Sequence, residues 1–112
     1  MTLYQIMINK PAEDDMIEAA RSRYIAKMLL DPSVANELLD DAEAAIHSLN
    51  INPQKHPLVS DDDLARVGIR VVPVDNYLLF YVVRESAKVI IIQRFLSSRL
   101  NWKNVLYDER AR

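Results

Sequence analysis

The sequence predicts an α+β domain: one strand, an antiparallel helical hairpin, then a three-stranded antiparallel meander, in the order β-α-α-β-β-β. Three observations predict it. Leu3 to Asn9 alternates with a period of two. Met16 to Leu49 carries apolar residues at steps of three and four on either side of an Asp-Pro-Ser break. Gly68 to Phe95 is β-branched and aromatic, in runs of strand length separated by turn-forming residues. Period two marks a half-buried strand, period 3.6 an amphipathic helix, and strands gathered after helices mark α+β rather than alternating α/β.

In LYQIMIN, Tyr4, Ile6 and Ile8 share one face, with Gln5, Met7 and Asn9 on the other, so this is the first strand. After Lys10-Pro11 the acidic AEDD suits a helix start, because carboxylates there oppose the positive end of the helix dipole. Met16, Ile17, Ala20, Tyr24, Met28 and Leu29 form its apolar stripe, and the helix ends near Leu30. Asp31 then caps a second helix, with Pro32 at the first position, where a missing N–H costs nothing. Its stripe is Ala35, Leu38, Leu39, Ala42, Ala45, Ile46 and Leu49; Glu37, Asp40, Asp41 and Glu43 face water. So short a link makes the two helices antiparallel neighbours.

Asn50 to Asp63, NINPQKHPLVSDDD, reads as a loop with one turn of helix at its end. Gly68, the only glycine, leads into GIRVVPV, whose Pro73 places that strand at an edge or a bulge. Asp75-Asn76 is a tight turn, Tyr77 to Val83 a strand, ESA a turn, and Lys88 to Gln93 the last strand. SSRLNWKNVLYDER then forms a short helix after a polar cap.

With 112 residues, 50% hydrophobic and 27% charged, the chain is expected to be one domain, residues 1–112, able to fold alone. It has no cysteine, so no disulfide or zinc-thiolate site, which fits a reducing cytoplasm. No stretch is apolar over the roughly 18 to 20 residues that a membrane span requires, and no basic leader precedes an apolar run. An intracellular, soluble protein is therefore expected, with no membrane partner. The net charge of -2 hides an asymmetry: Met1 to Asp63 holds 12 acids and 5 bases, or -7, and Leu64 to Arg112 holds 4 acids and 9 bases, or +5. The basic half can present an anion-attracting surface on an acidic protein.

Tyr77 to Val83 is apolar on both sides, with Leu78, Phe80 and Val82 pointing one way and Tyr77, Leu79, Tyr81 and Val83 the other. A half-solvated antiparallel sheet alternates more cleanly. The helical hairpin can cover one face, and no other segment reads as long or apolar enough for the second. A partner chain is therefore expected there, on Tyr77, Leu79, Tyr81 and Val83, with Trp102 anchoring the tail or serving as a partner hot spot.

The run GIRVVPVDNYLLFYVV, then KVIIIQRF and SSRLNWKNVL, resembles the C-terminal half of RelE/ParE superfamily toxins of bacterial type II toxin–antitoxin systems, the plasmid stabilisation proteins. In these toxins a Gly-x-Arg leads a strand, an Asn-Tyr turn leads an aromatic strand, and an arginine closes the last strand. The A-x-x-D-x-x-x-A spacing of the first helix, Ile46-x-x-Leu49 and the loop P-x-x-x-P-L-V fit too, so the resemblance spans nearly the whole chain. It implies the strand-helix-helix-meander fold and a growth-arresting toxin held inactive by a small antitoxin whose C-terminal segment wraps it.

The superfamily includes poisons of DNA gyrase and ribosome-dependent mRNA endoribonucleases. Cleavage of RNA by its 2′-OH needs proton transfer and cations around the phosphorane. Arg70 matches the arginine before the hairpin, Arg94 the one ending the last strand, and Arg99 follows in a polar segment. Leu96 and Ser97 stand where the ribonuclease branch is expected to place a histidine, and Tyr107 is the substitute at a longer spacing. The acidic chain, the missing acid-base group and the long hairpin lean toward gyrase. The alternatives are a metal-independent endoribonuclease and an inactive family member that only binds antitoxin. His47 and His56 read as structural, Asp61 to Asp63 as a solvated helix start without calcium-loop spacing, and Tyr77 and Tyr81 as packing groups rather than base-stacking platforms. No cofactor or metal is expected.

Overall fold

The computed structural model describes residues 3–27 and 33–111, with side chains over 3–22 and 37–109. Its order is β1 (Gln5–Ile8), α1 (Lys10–Lys27), α2 (Ser33–Ser48), α3 (Asp62–Arg66), β2 (Arg70–Val74), β3 (Tyr77–Arg84), β4 (Val89–Ser97) and α4 (Trp102–Ala111). Short 3-10 turns occupy Pro53–Lys55 and Glu85–Ala87. The Asp31-Pro32 junction and the side chains of Tyr24, Met28, Leu29 and Ala35 lie outside the described residues.

The predicted meander forms, and β1 joins it as a fourth strand, giving the sheet order β1-β4-β3-β2. β2, β3 and β4 pair antiparallel, while β1 runs parallel to β4, from Gln5 opposite Val89 to Ile8 opposite Ile92. The parallel pairing follows from the crossover: α1 and α2 carry the chain back across one face of the sheet before it re-enters. Pro73 lies in the edge strand β2, as its missing N–H demands, and Asp75 takes the left-handed conformation (φ 53°) at the turn into β3.

β4 carries a bulge. Tyr81 opposes Ile92 and Phe80 opposes Arg94, so Gln93 has no partner on β3. The extra residue lets Ile90, Ile92 and Phe95, spaced by two and then three, share the helix-facing side.

Local chemistry starts and stops the helices. The Asn9 side chain accepts from Ala12 N–H at 3.1 Å and caps α1, ahead of the Lys10-Pro11 pair. Asp61 caps α3 by accepting from Leu64 N–H at 3.1 Å. Gly68 ends α3 with φ +91°, its N–H donating to Ala65 C=O and the Ile69 N–H to Leu64 C=O. That pair of bonds is a Schellman closure, and Leu64 and Ile69 provide its apolar contact. The glycine is there because a side chain at that φ is strained.

Two cores flank the sheet. Beneath the hairpin, Ala12 and Ala19 of α1 and Leu38, Ala42, Ile46 and Leu49 of α2 pack on Val72, Val74, Leu79, Tyr81, Ile90, Ile92 and Phe95. Over its described side chains the α2 stripe is as predicted, with Leu38, Ala42, Ala45, Ile46 and Leu49 inward. That of α1 is turned by about a third of a turn: Ala12, Met16 and Ala19 face inward, whereas Ile17 is 53% exposed. Small alanines let the helix approach the sheet closely.

The opposite face holds Phe80, Val82 and Leu96 under Val59, Leu64, Ile69 and Leu106, with Trp102 and Val105 at its margin. This corrects the expectation that a partner must cover one face. The segment read as a loop supplies Val59, the short α3 that follows it Leu64, the lead into β2 Ile69, and α4 Leu106, so both faces are covered from within the chain. It also corrects the assigned partner surface. Leu79 and Tyr81 are 0% exposed beneath the helices, Tyr77 and Val83 pack half-buried beside them, and Trp102 lies on Phe80, ring centroids 5.2 Å apart.

Candidate functional site

The candidate ribonuclease residues stand at four separate places. Arg70, at the start of β2, pairs across the sheet with Tyr81. Its Nη1 donates to the carbonyls of His56 at 2.7 Å and Gln54 at 3.3 Å, and the buried Tyr81 hydroxyl donates to the carbonyl of Pro53 at 2.6 Å. The two side chains therefore tie down one turn of the 53–56 segment, with Tyr81 supplying the donor to a buried carbonyl. Burial raises the Tyr81 phenol above its usual range, partly offset by the Arg70 charge. His56 sets its ring edge-on to Tyr81, 6.5 Å between centroids, and burial together with the neighbouring Lys55 charge lowers its basicity.

Arg94 follows the bulge. Its Nε and Nη2 donate to both oxygens of Asp15 at 2.6 and 2.8 Å, and Nη1 lies 3.6 Å from Glu109 on α4. Asp15 also accepts from the Phe95 N–H at 3.0 Å, on the stretch of the β4 edge that β1 does not reach. The two pairing side chains are only 19% and 14% exposed. The bidentate carboxylate holds the guanidinium still more firmly protonated. Because Arg70 opposes Tyr81 while Arg94 opposes Phe80, the two arginines project to opposite faces of the sheet.

Tyr107, on α4, donates its hydroxyl to Asp61, the cap of α3. That bond raises its pKa to about 12 and lowers that of Asp61. A phenol so held keeps its proton, the wrong state for a general base. Arg99 lies exposed in the turn between β4 and α4; among the described residues no side-chain hydrogen bond or ion pair engages its guanidinium, although its backbone N–H meets Ser97 Oγ at 3.3 Å. Near it a shallow cavity of about 240 Å³ runs between α1 and the end of β4, with Ser22, Tyr77, Phe95 and Leu100 on its walls. Tyr77 stacks on Phe95, 4.9 Å apart and 8° from parallel.

His47 stands exposed, 3.7 Å from Glu43, and the described residues hold no cluster of three or more His, Cys, Asp or Glu able to bind a metal ion. Asp61 to Asp63 open α3, as read from the sequence. Sequence reasoning missed Asp15, Asp61 and Glu109 as partners of the singled-out residues. For Asp15 a faint signal existed: it shares the α1 face with Ala12 and Ala19, where a carboxylate needs a cation.

The protein-family model described as "ParE toxin of type II toxin-antitoxin system, parDE" matches residues 6–102. The chain belongs to the ParE toxin family. It is accordingly a toxin of a type II toxin–antitoxin system. Among solved structures, the chromosomal ParDE toxin–antitoxin system of P. aeruginosa aligns with TM-score 0.65 at 15% identity, covering 84% of this chain and 95% of that one. The RelBE2 toxin–antitoxin complex of Mycobacterium tuberculosis aligns with TM-score 0.58 at 18% identity, covering 87% and 93%. No curated protein matches in sequence. The ParE-family match takes in Arg70, Arg94 and Arg99 and closes at Trp102, so Tyr107 and most of α4 lie beyond it. Among the described residues of this ParE-family chain no helix is long and apolar enough to cross a membrane.

Proposed function

We propose that the chain arrests bacterial growth by poisoning DNA gyrase, in the cytoplasm, and that a cognate antitoxin restrains it. The observation that carries this reading is the dispersal of Arg70, Arg94 and Tyr107. Each is engaged elsewhere: on the carbonyls of Gln54 and His56, between Asp15 and Glu109, and on Asp61. Cutting RNA through its 2′-OH needs cations and a proton acceptor converging on one phosphate. The -7 charge of the first 63 residues further opposes tight docking on ribosomal RNA, which rests on many phosphate contacts. The ParE family match supports gyrase as the target, and structural neighbours that are themselves toxin–antitoxin complexes support the antitoxin.

The test is direct. The purified chain is incubated with gyrase and supercoiled plasmid, and separately with translating ribosomes. Broken DNA linked to gyrase is expected. Cut mRNA would establish the ribonuclease reading instead, and neither product, with normal growth on induction, would leave an inactive antitoxin-binding protein.

A further inference from the structure

Several bases in the second half of the chain are engaged where they stand: Arg66 with Asp63, Lys88 with Glu85 and Arg94 with Asp15. The turn between β4 and α4 differs. Ser97 to Asn104, SSRLNWKN, holds two bases and no acid, and among the described residues neither Arg99 nor Lys103 meets a carboxylate. Asp61 lies within reach of the Lys103 charge, but its carboxylate is held first by the Tyr107 hydroxyl and the Leu64 N–H.

The backbone of this turn is fixed. Ser98 N–H donates to Asn76 C=O at 2.8 Å, Leu100 N–H to Ser97 C=O at 3.0 Å and Trp102 N–H to Leu100 C=O at 2.8 Å. Trp102 is anchored on Phe80, and Lys103 Nζ stands 5.6 Å from the centre of its ring. Arg99 and Leu100 nonetheless face solvent, and Leu100, 48% exposed, forms one wall of the cavity of about 240 Å³ that it shares with Tyr77, Phe95 and Ser22. A held backbone that presents unpaired cations and an exposed leucine beside a hollow has the makeup of a binding surface, because docking there orders little that is not ordered already.

We propose that the turn from Arg99 to Lys103, with the adjoining cavity, is the surface by which the chain engages gyrase, and that it docks on an acidic strip of the gyrase protein with one apolar side chain entering the cavity. The inference rests on the gyrase reading above and gives it a location. Charge complementarity names the acid: cations with no carboxylate in their own chain are matched by carboxylates opposite. Leu100 decides against DNA as the occupant. A phosphate backbone offers an exposed leucine nothing to cover it, and binding to phosphates alone rests on many cations rather than a pair.

The test measures binding of the full chain to gyrase, the yield of gyrase-linked DNA breaks, and binding to plasmid without gyrase. Arg99→Glu and Lys103→Glu are each expected to weaken gyrase binding about tenfold and together about a hundredfold, with DNA breaks falling in step and melting temperatures unchanged. Arg84→Glu, which reverses an exposed cation at the opposite end of β3, is expected to change neither readout. Should a reversal lower the melting temperature, Arg99→Gln combined with Lys103→Gln decides by the same binding assay. A parent chain that poisons gyrase, with variants that bind and poison as well as it does, overturns the docking surface while leaving the gyrase reading standing. A parent that neither binds nor poisons gyrase overturns both. Binding to plasmid alone, lost in the same variants, assigns the two cations to phosphate and equally overturns the proposal.

Discussion

Arg94 grips Asp15 with two parallel hydrogen bonds, 2.6 and 2.8 Å long, between residues 79 positions apart in the chain. The pair joins α1 to β4 just beyond the end of β1, and with both groups mostly buried neither can be removed cheaply. Asp15→Ala leaves a cation and the Phe95 N–H without their acceptor and is expected to cost about 2 to 4 kcal/mol in urea unfolding. Arg94→Met, which fills much of the same volume without a charge, is expected to cost less when combined with Asp15→Leu than either change alone. Additive losses in that double-mutant cycle would contradict the coupling.

Arg70 and Arg99 should separate stability from toxicity. Arg70→Ala frees the carbonyls of Gln54 and His56 and is expected to lower stability by about 1 to 3 kcal/mol, loosening the 53–56 turn. Arg99→Ala, on an exposed turn, is expected to leave the melting temperature unchanged. Loss of growth arrest in Arg70→Ala thus reports on folding, whereas loss in Arg99→Ala reports on the target surface. Melting curves run beside growth assays make the distinction, and an undiminished melting temperature in Arg70→Ala would contradict the first assignment.

The second core predicts a marked sensitivity of α4. Leu106 is 2% exposed against Phe80 and Leu96. Leu106→Ala is expected to cost about 2 to 4 kcal/mol through lost burial and the cavity left behind. Because this core covers a whole sheet face, the variant should also bind a hydrophobic dye that the parent does not. A neutral result would mean that the covering depends on Val59 and Leu64 alone.

Tyr107 and Asp61 give the fold an alkaline limit. The hydroxyl donates to the carboxylate, so the folded chain favours the protonated phenol, with its pKa at about 12 against an ordinary 10.0. The folded state binds this proton more tightly than the unfolded one. Its contribution is therefore complete below pH 10 and is lost as pH rises toward 12. Carbon NMR of the tyrosine rings should show the Tyr107 resonance titrating two units late, absent in Tyr107→Phe and returned toward pH 10 in Asp61→Asn. Titration of Tyr107 at its ordinary value in the parent would remove the bond.

Periodicity made much of the fold legible. The β1 alternation and the α2 stripe name their own faces, the two-sided apolar run of β3 marks a strand covered on both sides, and Pro73 names its edge. The phase of α1 was hidden because its buried face is built from Ala12 and Ala19, weaker signals than the exposed Ile17. The second core was hidden because Val59, Leu64 and Ile69 are buried singly, in a stretch with no repeat, where two prolines and an acid run dominate the reading. The candidate site was least legible of all. An arginine reads the same whether it meets a phosphate, the Gln54 carbonyl or Asp15, and only the folded chain decides between them.

The unpaired Gln93 gives β4 one residue more than its ladder on β3 uses. Loss of that single codon would leave Ile92 opposite Tyr81 and Arg94 opposite Phe80, with Phe95 still inward. A codon gained or lost between Val89 and Ile91 instead slides β1 and β3 against each other and sets their inward residues outside. Length variation in this strand thus keeps every inward residue inward at one position and inverts the faces at its neighbours.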